Sequence, residues 1–346
     1  MSGSAIQARD VKVTVGQNGL TFTAEPHWHQ LPKEWELGEV TSVATDSRDR
    51  AFVFSRSQRA VLVFDADGTF LFPWGEGAFV RPHGIHIGPD DAVYCTDDLD
   101  HTVKKFSSDG ELLLTLGNSG QPADTGAFSV DYRNIRQAGG PFNFPTNVAL
   151  SPEGDIYVTD GYGNARVHKF SAEGRLLFSW GEPGGGPGQF RVPHGIAVDR
   201  QGTVFIADRE NSRIQRFSPT GKFIDSWENI ARPCEVFIAP SGRVFVAELG
   251  YRAGMFPGDE PPAGGTTGGR VSVFTESGDL LARWGGGDNP CAPGDFFAPH
   301  DIWVDSRGDL YVSEVTHTAG IQRGVIGTDS HTLQKFILTD SVPEPS

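Results

Sequence analysis

The chain has 346 residues, more than one ordinary domain, which leaves either two domains or one large β architecture. It carries 44 glycines and 23 prolines among many short Val/Ile/Phe/Tyr runs, a texture typical of an all-β protein with many turns. The formal net charge of -15 argues against nucleic acid as a partner, and the lack of an apolar stretch of about 18 residues argues against a membrane span.

The first residues, MSGSAIQARD, lack the apolar centre of a signal peptide, and three cysteines do not make a disulfide framework. We therefore expect a cytoplasmic monomer, with a secreted protein whose signal has been removed as the open alternative. Residues 1–17 are predicted to be an N-terminal arm, and residues 340–346 a disordered tail.

A four-strand unit repeats along the chain. Its six copies open at VTSVATD, PHGIHIG, PTNVALS, PHGIAVD, PCEVFIA and PHDIWVD. Apolar and polar residues alternate through short strands that are joined by tight turns. A repeat of about 40 to 45 residues with four strands is the pattern of a propeller blade. Residues 18–339 are therefore predicted to form one six-bladed β-propeller.

The sixth copy contains only three obvious strands, DIWVD, DLYVSE and TLQKFIL. The N-terminal stretch GLTFTAEP alternates correctly for the missing outer strand, which would close the ring and remove two free sheet edges. Large aromatic residues end many strands. Those that end outer strands are predicted to pack between blades, and those that end third strands to be core: Trp74, Trp180, Trp227 and Trp284, and Phe106, Phe170 and Phe217.

One position recurs at the start of the innermost strand of every copy. Because innermost strands line the channel of a propeller, this position forms a ring around the axis. Histidines occupy alternate places, so three imidazoles can converge on one axial point. Three neutral imidazoles with one open position make a catalytic zinc site, with iron(II) or another divalent metal as the alternative. The occupants in blade order are Thr41, His83, Thr146, His194, Cys234 and His300.

The turns that follow second strands lie near the same end of the channel. They carry Arg56, Tyr162 and Arg209. Arginine can hold a carboxylate or an oxyanion, and a tyrosine near a metal and an arginine can act as a base. The alternative, favoured for arginines that begin third strands, is an ion pair that braces a turn: Arg166 with Asp160, and Arg213 with Asp208.

Other candidate positions are interpreted as structural. Cys234 is taken as a small channel-lining residue, with a fourth metal ligand or a nucleophile as the alternatives. His86 lies further along the strand of His83. His27 and His29 have a spacing that suggests a metal site, but they are taken as structural or solvated. Segments 118–142, 250–270 and 316–331 exceed the repeat, and some of them are expected to rim the channel.

The stretches DGYGNARVHKFS, PGQFRVPHGIAVD, ADRENSRIQRF and PHDI resemble NHL-repeat propellers, and more narrowly the peptidyl-α-hydroxyglycine α-amidating lyases, over about residues 40–339. The resemblance implies an axial zinc held by the three ring histidines, with Tyr162 as the base. It also implies that Arg56 and Arg209 contact the oxygen and the carboxylate of the substrate.

The resemblance further implies a structural calcium in the channel, held by Asp301 and by a backbone carbonyl near Ile85. This sequence departs from the animal members of the family at two positions. Ala298 stands where they have methionine, and Gly163 follows the tyrosine where they have a disulfide-bonded cysteine. These departures leave the zinc chemistry intact but weaken the inference of a peptide-amide substrate and of secretion.

The expected function is therefore a zinc-dependent lyase that cleaves the C–N bond of an α-hydroxyglycine-type carbinolamide to an amide and glyoxylate. Its substrate would be a small molecule or derived from a peptide. Two alternatives stay open. One is a metal-dependent hydrolase resembling six-bladed lactonases, which hold calcium with carboxylate and amide groups. The other is a non-catalytic NHL interaction scaffold.

Overall fold

The computed structural model describes residues 12–254, 260–262 and 265–341. Within them, 25 β-strands form six antiparallel sheets. Two strands, β1 (Val13–Gln17) and β2 (Leu20–Glu25), precede the first blade. Short helical segments are 3-10 turns at Tyr132–Asn134 and Arg209–Asn211 and a π-helical turn at His317–Ile321. No helix in the described part of the chain has the length and apolarity needed to cross a membrane.

The strands of the blades follow one another in chain order. Blade 1 contains β3 (Val40–Thr45), β4 (Ala51–Ser55), β5 (Val61–Phe64) and β6 (Phe70–Trp74). Blade 2 contains β7 (Pro82–Ile87), β8 (Val93–Asp97), β9 (Thr102–Phe106) and β10 (Leu112–Gly117). Blade 3 contains β11 (Asn147–Leu150), β12 (Ile156–Asp160), β13 (Arg166–Phe170) and β14 (Leu176–Trp180).

The second half of the molecule repeats the same plan. Blade 4 contains β15 (Pro193–Val198), β16 (Val204–Asp208), β17 (Arg213–Phe217) and β18 (Phe223–Trp227). Blade 5 contains β19 (Pro233–Ile238), β20 (Val244–Glu248), β21 (Arg270–Phe274) and β22 (Leu280–Gly285). Blade 6 contains β23 (Pro299–Val304), β24 (Leu310–Glu314) and β25 (Leu333–Ser341).

The blades close into a ring. The first strand of each blade contacts the first strand of the next, in the order β3, β7, β11, β15, β19 and β23, and β23 contacts β3. These six innermost strands therefore surround one central channel. The predicted all-β, six-bladed propeller is confirmed.

The N-terminal strand completes the last blade. Strand β2 pairs with β25 and places Phe22, which is fully buried, opposite Leu338, as the alternation of GLTFTAEP predicted. Strand β1 adds a fifth strand outside it, so Val13–Gln17 of the predicted arm belong to this sheet. The predicted end of the propeller at residue 339 falls inside β25. Residues 1–11 and 342–346 lie outside the described part of the chain.

Aromatic rings pack in the interfaces between blades. The tryptophan at or next to the end of an outer strand packs at a tilt against a phenylalanine of the third strand of the following blade, with ring centroids 5.1 to 6.0 Å apart. Such pairs bury a large apolar area and fix the angle between neighbouring sheets. The predicted interblade role is confirmed for Trp74 on Phe106, Trp180 on Phe217, Trp227 on Phe274 and Trp284 on Phe336.

A buried carboxylate ends the second strand of blades 2 to 6 and accepts hydrogen bonds from the backbone just before an innermost strand. The five residues are Asp97, Asp160, Asp208, Glu248 and Glu314. The entry to each innermost strand is therefore fixed by its own blade.

Of the two predicted bracing pairs, Arg213 with Asp208 is confirmed, whereas Arg166 forms no ion pair with Asp160 among the described residues. Arg213 Nε donates to Asp208 Oδ2 at 2.8 Å, as expected. Asp160 instead accepts from His168 Nε2 at 3.2 Å and from Asn164 Nδ2 at 2.7 Å, because these side chains reach it from β13 and from the turn before it.

Candidate metal centre and reaction cavity

The three ring histidines meet on the channel axis. His83, His194 and His300 each follow the proline that starts β7, β15 or β23. All three are buried, and their ring centroids lie 4.8 to 4.9 Å apart. One ligand nitrogen from each lies within 4.8 Å of the others, and this is the single such group of His, Cys, Asp or Glu within residues 12–254, 260–262 and 265–341.

Each ring histidine is oriented by the ring residue of the next blade. The Nδ1 atom of each imidazole is hydrogen-bonded to the backbone carbonyl of the ring residue in the next blade, at 2.6 Å for His83, 2.8 Å for His194 and 2.7 Å for His300. A carbonyl only accepts, so Nδ1 carries the proton and the Nε2 lone pair is left for the channel. The three acceptor residues are Thr146, Cys234 and Thr41.

Burial keeps these imidazoles neutral. It lowers the pKa of His300 to about 3 and the pKa of His83 and His194 well below the usual range, and nearby arginines add to the effect. Neutral imidazoles whose other nitrogen donates to a carbonyl are the usual ligands of a transition metal. The donor set therefore fits a divalent metal ion with an open position.

Tyr162 and Arg209 complete the centre. The Tyr162 hydroxyl lies 3.3 Å from His83 Nε2 and 3.1 Å from His194 Nε2, and it accepts a hydrogen bond from Arg209 Nη1 at 3.1 Å. Tyr162 follows β12 and Arg209 follows β16, so equivalent turns of adjacent blades deliver them. The sequence predicted both positions, and the structure brings both to the histidines.

Arg56 lies at the rim of the same cavity. Its Nη1 donates to Glu39 Oε2 at 2.7 Å and its Nε to the carbonyl of Pro82 at 3.2 Å. The cavity has a volume of about 360 Å³, which suits a small ligand. Its lining includes Arg56, Tyr162, Arg209 and His300, together with Arg81 and Arg232.

Sequence reasoning missed the last two arginines. Arg81 makes a two-point ion pair with Asp98, at 2.6 and 2.7 Å, and Arg232 bonds Glu210, which also accepts from Arg209. A signal was available. Arg81 and Arg232 each stand two residues before a ring position, and Glu39 stands at the same place in blade 1. Charged residues at this place therefore form a second ring around the channel.

All three long segments contribute to the rim. Val130 comes from 118–142, Ala253 and Gly254 from 250–270, and Thr318 and Ala319 from 316–331. Residues 255–259 and 263–264 of the second segment lie outside the described residues. These segments add apolar surface to a cavity whose other side is lined by arginines.

A layer of oxygen atoms lies one residue further along the innermost strands. Asp301 and Ile85, the predicted calcium residues, line a small space of about 70 Å³ together with Asn147 and Glu235. In blades 2 and 4 the residue at this position is glycine, and a side chain would not fit there. A Cβ at Gly84 would lie 2.5 Å from Asn147 Oδ1, and one at Gly195 would lie 2.6 Å from Glu235 Oε1.

The carboxylates of this layer are buried, and no lysine or arginine side chain among the described residues pairs with them. Burial raises the pKa of Glu235 to about 8, and burial and the nearby Glu235 raise the pKa of Asp301 well above its usual range. Neither forms an ion pair with the described residues. Two such carboxylates and an amide oxygen are the ligands that calcium prefers. Glu235 and Asn147 were missed, although each directly follows a ring position.

The remaining candidates do not belong to the group formed by the three ring histidines. Burial raises the pKa of Cys234 to about 11, so its thiol stays protonated, and its backbone carbonyl accepts a hydrogen bond from His194 Nδ1. His86 packs against Trp303 with ring centroids 5.5 Å apart, next to the oxygen layer. His27 and His29 line a separate cavity beside Arg56.

Comparisons with known proteins agree with this architecture. The family model of the NHL repeat matches residues 142–170 and 190–217. Human NHL repeat-containing protein 3 is 31% identical over 313 residues, which cover 86% of this chain and 82% of the relative. Two solved structures, of a streptogramin B lyase and of a gluconolactonase from Xanthomonas campestris, have TM-scores of 0.57 and 0.58 and identities of 14% and 13%. They cover 92% and 96% of this chain and 98% and 96% of their own, and they show the fold alone.

Other relatives carry enzyme names. Peptidyl-glycine alpha-amidating monooxygenase B of Xenopus laevis is 32% identical over 287 residues, 78% of this chain but 30% of the relative. Peptidyl-alpha-hydroxyglycine alpha-amidating lyase 1 of Drosophila melanogaster is 30% identical over 258 residues, 64% of this chain and 45% of the relative. This chain thus spans less than half of either relative. It belongs to the NHL-repeat family of six-bladed propellers, and its homologues include proteins named amidating lyases.

Proposed function

We propose that the protein is a metal-dependent carbon–nitrogen lyase that converts an N-acyl-α-hydroxyglycine into an amide and glyoxylate. The observation that carries the proposal is the position of the Tyr162 hydroxyl, which contacts two axial imidazoles and the guanidinium of Arg209. A base, a cation and a ligand set for a metal therefore face the same small volume.

His83, His194 and His300 would hold the metal, for which zinc is the first candidate and iron(II) the alternative. A divalent ion on three neutral imidazoles supplies Lewis acidity, which makes a bound hydroxyl group more acidic. The protein supplies the rest of the chemistry through Tyr162 and the arginines of the rim.

The arginines orient the substrate. Arg209 is buried, and its Nε is held by Glu210 Oε1 at 2.8 Å, so its guanidinium has a fixed direction toward the centre. Arg56 is fixed in the same way by Glu39. A planar guanidinium suits a carboxylate, so Arg209 would hold the carboxylate of the hydroxyglycine and Arg56 its hydroxyl oxygen.

Tyr162 moves the proton. Its phenolic oxygen, held in place by the hydrogen bond from Arg209, takes the proton of the substrate hydroxyl. The oxygen's electron pair then forms the C=O bond of glyoxylate, the C–N bond breaks, and its electron pair goes to nitrogen. Tyr162 returns the proton to that nitrogen. The products are one amide and one glyoxylate, with no other reactant consumed.

The test is an assay for glyoxylate. Metal-loaded protein would be incubated with α-hydroxyhippurate, and glyoxylate and benzamide would be quantified against a His194→Ala control. Equal amounts of both products, absent in the control, support the proposal. No product at any metal loading contradicts it.

The oxygen layer supports a second, structural ion. We propose that Asp301, Glu235, Asn147 and the carbonyl of Ile85 bind calcium. This set also bears on the alternative of a lactonase-like hydrolase, whose calcium is held by oxygen ligands. The space there, about 70 Å³, admits an ion and water but no lactone, which favours the lyase.

A further inference from the structure

The wall of the reaction cavity carries charge of one sign. Four arginines line the cavity, and no aspartate or glutamate of the described residues does so. The chain as a whole is acidic, with a formal net charge of -15. Guanidinium groups gathered on one cavity wall of an acidic protein indicate an anionic ligand. The four are Arg56, Arg81, Arg209 and Arg232.

The acidic partners of these arginines lie behind them. Glu39, Asp98 and Glu210 pair with the four guanidinium groups, and their side chains are at most 4% exposed. Because three carboxylates pair with four guanidinium groups, one positive charge is left over. A divalent ion on three neutral imidazoles would add two more. The single carboxylate of a hydroxyglycine head therefore does not neutralise the cavity.

Arg232 is not available to a second anion. Its Nε and Nη2 donate to Glu210, and its Nη1 donates to the carbonyls of Gly250 and Gly254. Its side chain is 3% exposed. Arg232 therefore contributes charge to the cavity, while its hydrogen bonds are already made within the protein.

Arg81 differs from Arg232 because one end of its guanidinium is free. Its Nε and Nη2 donate to the two carboxylate oxygens of Asp98 at 2.6 and 2.7 Å, which fixes the plane of the guanidinium. Its Nη1 has accessible surface and no hydrogen-bond partner among the described residues. The side chain is 27% exposed. Both N–H groups of Nη1 are therefore available to a ligand.

Arg81 borders two cavities, and the charge of their walls distinguishes them. One is the reaction cavity. The other has a volume of about 490 Å³ and shares Arg56 and Arg81 with it. Glu76 lines this second cavity, whereas no acidic residue of the described part of the chain lines the reaction cavity. An anion that contacts Arg81 is therefore better matched to the reaction cavity.

We propose that Arg81 binds a second carboxylate of the substrate, carried by its acyl group, so that the substrate is the α-hydroxyglycine amide of a short dicarboxylic acid. The inference rests on the proposed function for the reacting head, which Arg209 and Tyr162 engage. Leu249 and Val315 supply apolar surface for the methylene groups between the two ends. The cavity volume of about 360 Å³ limits the acyl chain to a short one.

The kinetic test compares two substrates that differ only in the second carboxylate, N-succinyl-α-hydroxyglycine and its neutral isostere N-succinamoyl-α-hydroxyglycine. The wild type should prefer the succinyl substrate. Arg81→Gln should lower the ratio of kcat/KM for the succinyl substrate to that for the succinamoyl substrate about tenfold, through KM. The matched control is Arg216→Gln, because Arg216 also makes a two-point ion pair, with Asp225, but does not line the cavity. Its ratio should equal that of the wild type.

A second variant controls for stability. Arg81→Gln leaves buried Asp98 without its partner, which destabilises the fold. Arg81→Gln combined with Asp98→Asn removes both charges and leaves no unpaired carboxylate. The same fall in the ratio in this double variant supports the proposal, and an unchanged ratio overturns it. An equal loss for both substrates also overturns it, because Arg81 would then contact the head that they share.

A binding test separates this inference from the proposed function. N-succinylglycine and N-succinamoylglycine lack the hydroxyl group that the reaction needs, so calorimetry with them involves no turnover. A preference of the wild type for N-succinylglycine that falls about tenfold in Arg81→Gln supports the second carboxylate site even if no substrate gives glyoxylate. Equal affinity of the wild type for the two ligands overturns this site and leaves the lyase proposal in place.

Discussion

At the scale of single residues, the hydroxyl of Tyr162 makes three contacts that a phenylalanine ring cannot make, to His83, His194 and Arg209. Tyr162→Phe keeps the packing of the ring and removes only the proton acceptor. We expect kcat for glyoxylate release to fall roughly 10²- to 10⁴-fold, the usual contribution of a general base. Metal content should stay as in the wild type, since the three ligands are untouched. Activity retained within a factor of two would exclude Tyr162 as the base.

Glu314 is buried, so ionising its carboxyl group lowers the stability of the folded protein. Burial raises its pKa from 4.5 to about 8. The folded protein therefore keeps a proton that the unfolded chain releases, so the stabilising contribution of Glu314 is fully present below pH 4.5 and is lost as the pH rises through about 8. Glu314→Gln removes this dependence. Urea unfolding should show the variant gaining on the wild type by up to about 1.4 kcal/mol per pH unit in that window. Parallel pH profiles would contradict the assignment.

The residues of the candidate site were predictable to different degrees. The ring histidines could be found because Pro-His recurs at one phase of the repeat. Arg81 and Arg232 were missed because an arginine at the end of a loop has no pattern of its own until the ring position two residues later is aligned across blades. Glu235 was missed for the same reason, one residue beyond the ring.

At the scale of strands and blades, interblade aromatic pairs carry much of the packing energy. Trp227 ends β18, is 8% exposed and stacks on Phe274 of the next blade at 5.7 Å. Trp227→Ala should lower the free energy of unfolding by about 3–5 kcal/mol. The control is Ile224→Ala in the same strand, where the side chain is 49% exposed and the change should stay within about 0.5 kcal/mol. Chemical denaturation measures the free energy of unfolding of both variants. Similar losses in the two would show that the Trp227–Phe274 contact contributes no more than an exposed side chain does.

The blades were predictable as elements because alternation, turns and strand-ending aromatic residues agree within each copy. The outer strand of blade 6 was found because GLTFTAEP alternates and the sixth copy lacked a strand. The cavity that His27 and His29 line was beyond sequence reasoning. It exists because residues 26–39 meet residues 317–333 after the ring has closed, and no local pattern reports that meeting.

At the scale of the whole molecule, the side chains of the oxygen layer join three blades around one point. Asn147 belongs to blade 3, Glu235 to blade 5 and Asp301 to blade 6. A bound calcium ion would stabilise the closed ring by about 2.7 kcal/mol at a hundredfold excess over its Kd. Thermal unfolding should therefore shift upward by several degrees with calcium, and Glu235→Gln should remove the shift. A wild-type midpoint that ignores calcium would exclude the ion from this layer.

The closed ring also makes the proposed metal centre a property of the whole chain, since its three histidines come from blades 2, 4 and 6 and their carbonyl partners from blades 3, 5 and 1. Elemental analysis of purified protein after dialysis against excess metal is the most direct test of this account. It predicts about one transition-metal ion per chain, lost in His194→Ala while the β-sheet circular dichroism is kept. A wild type without stoichiometric metal, or a variant that retains it, would contradict the account.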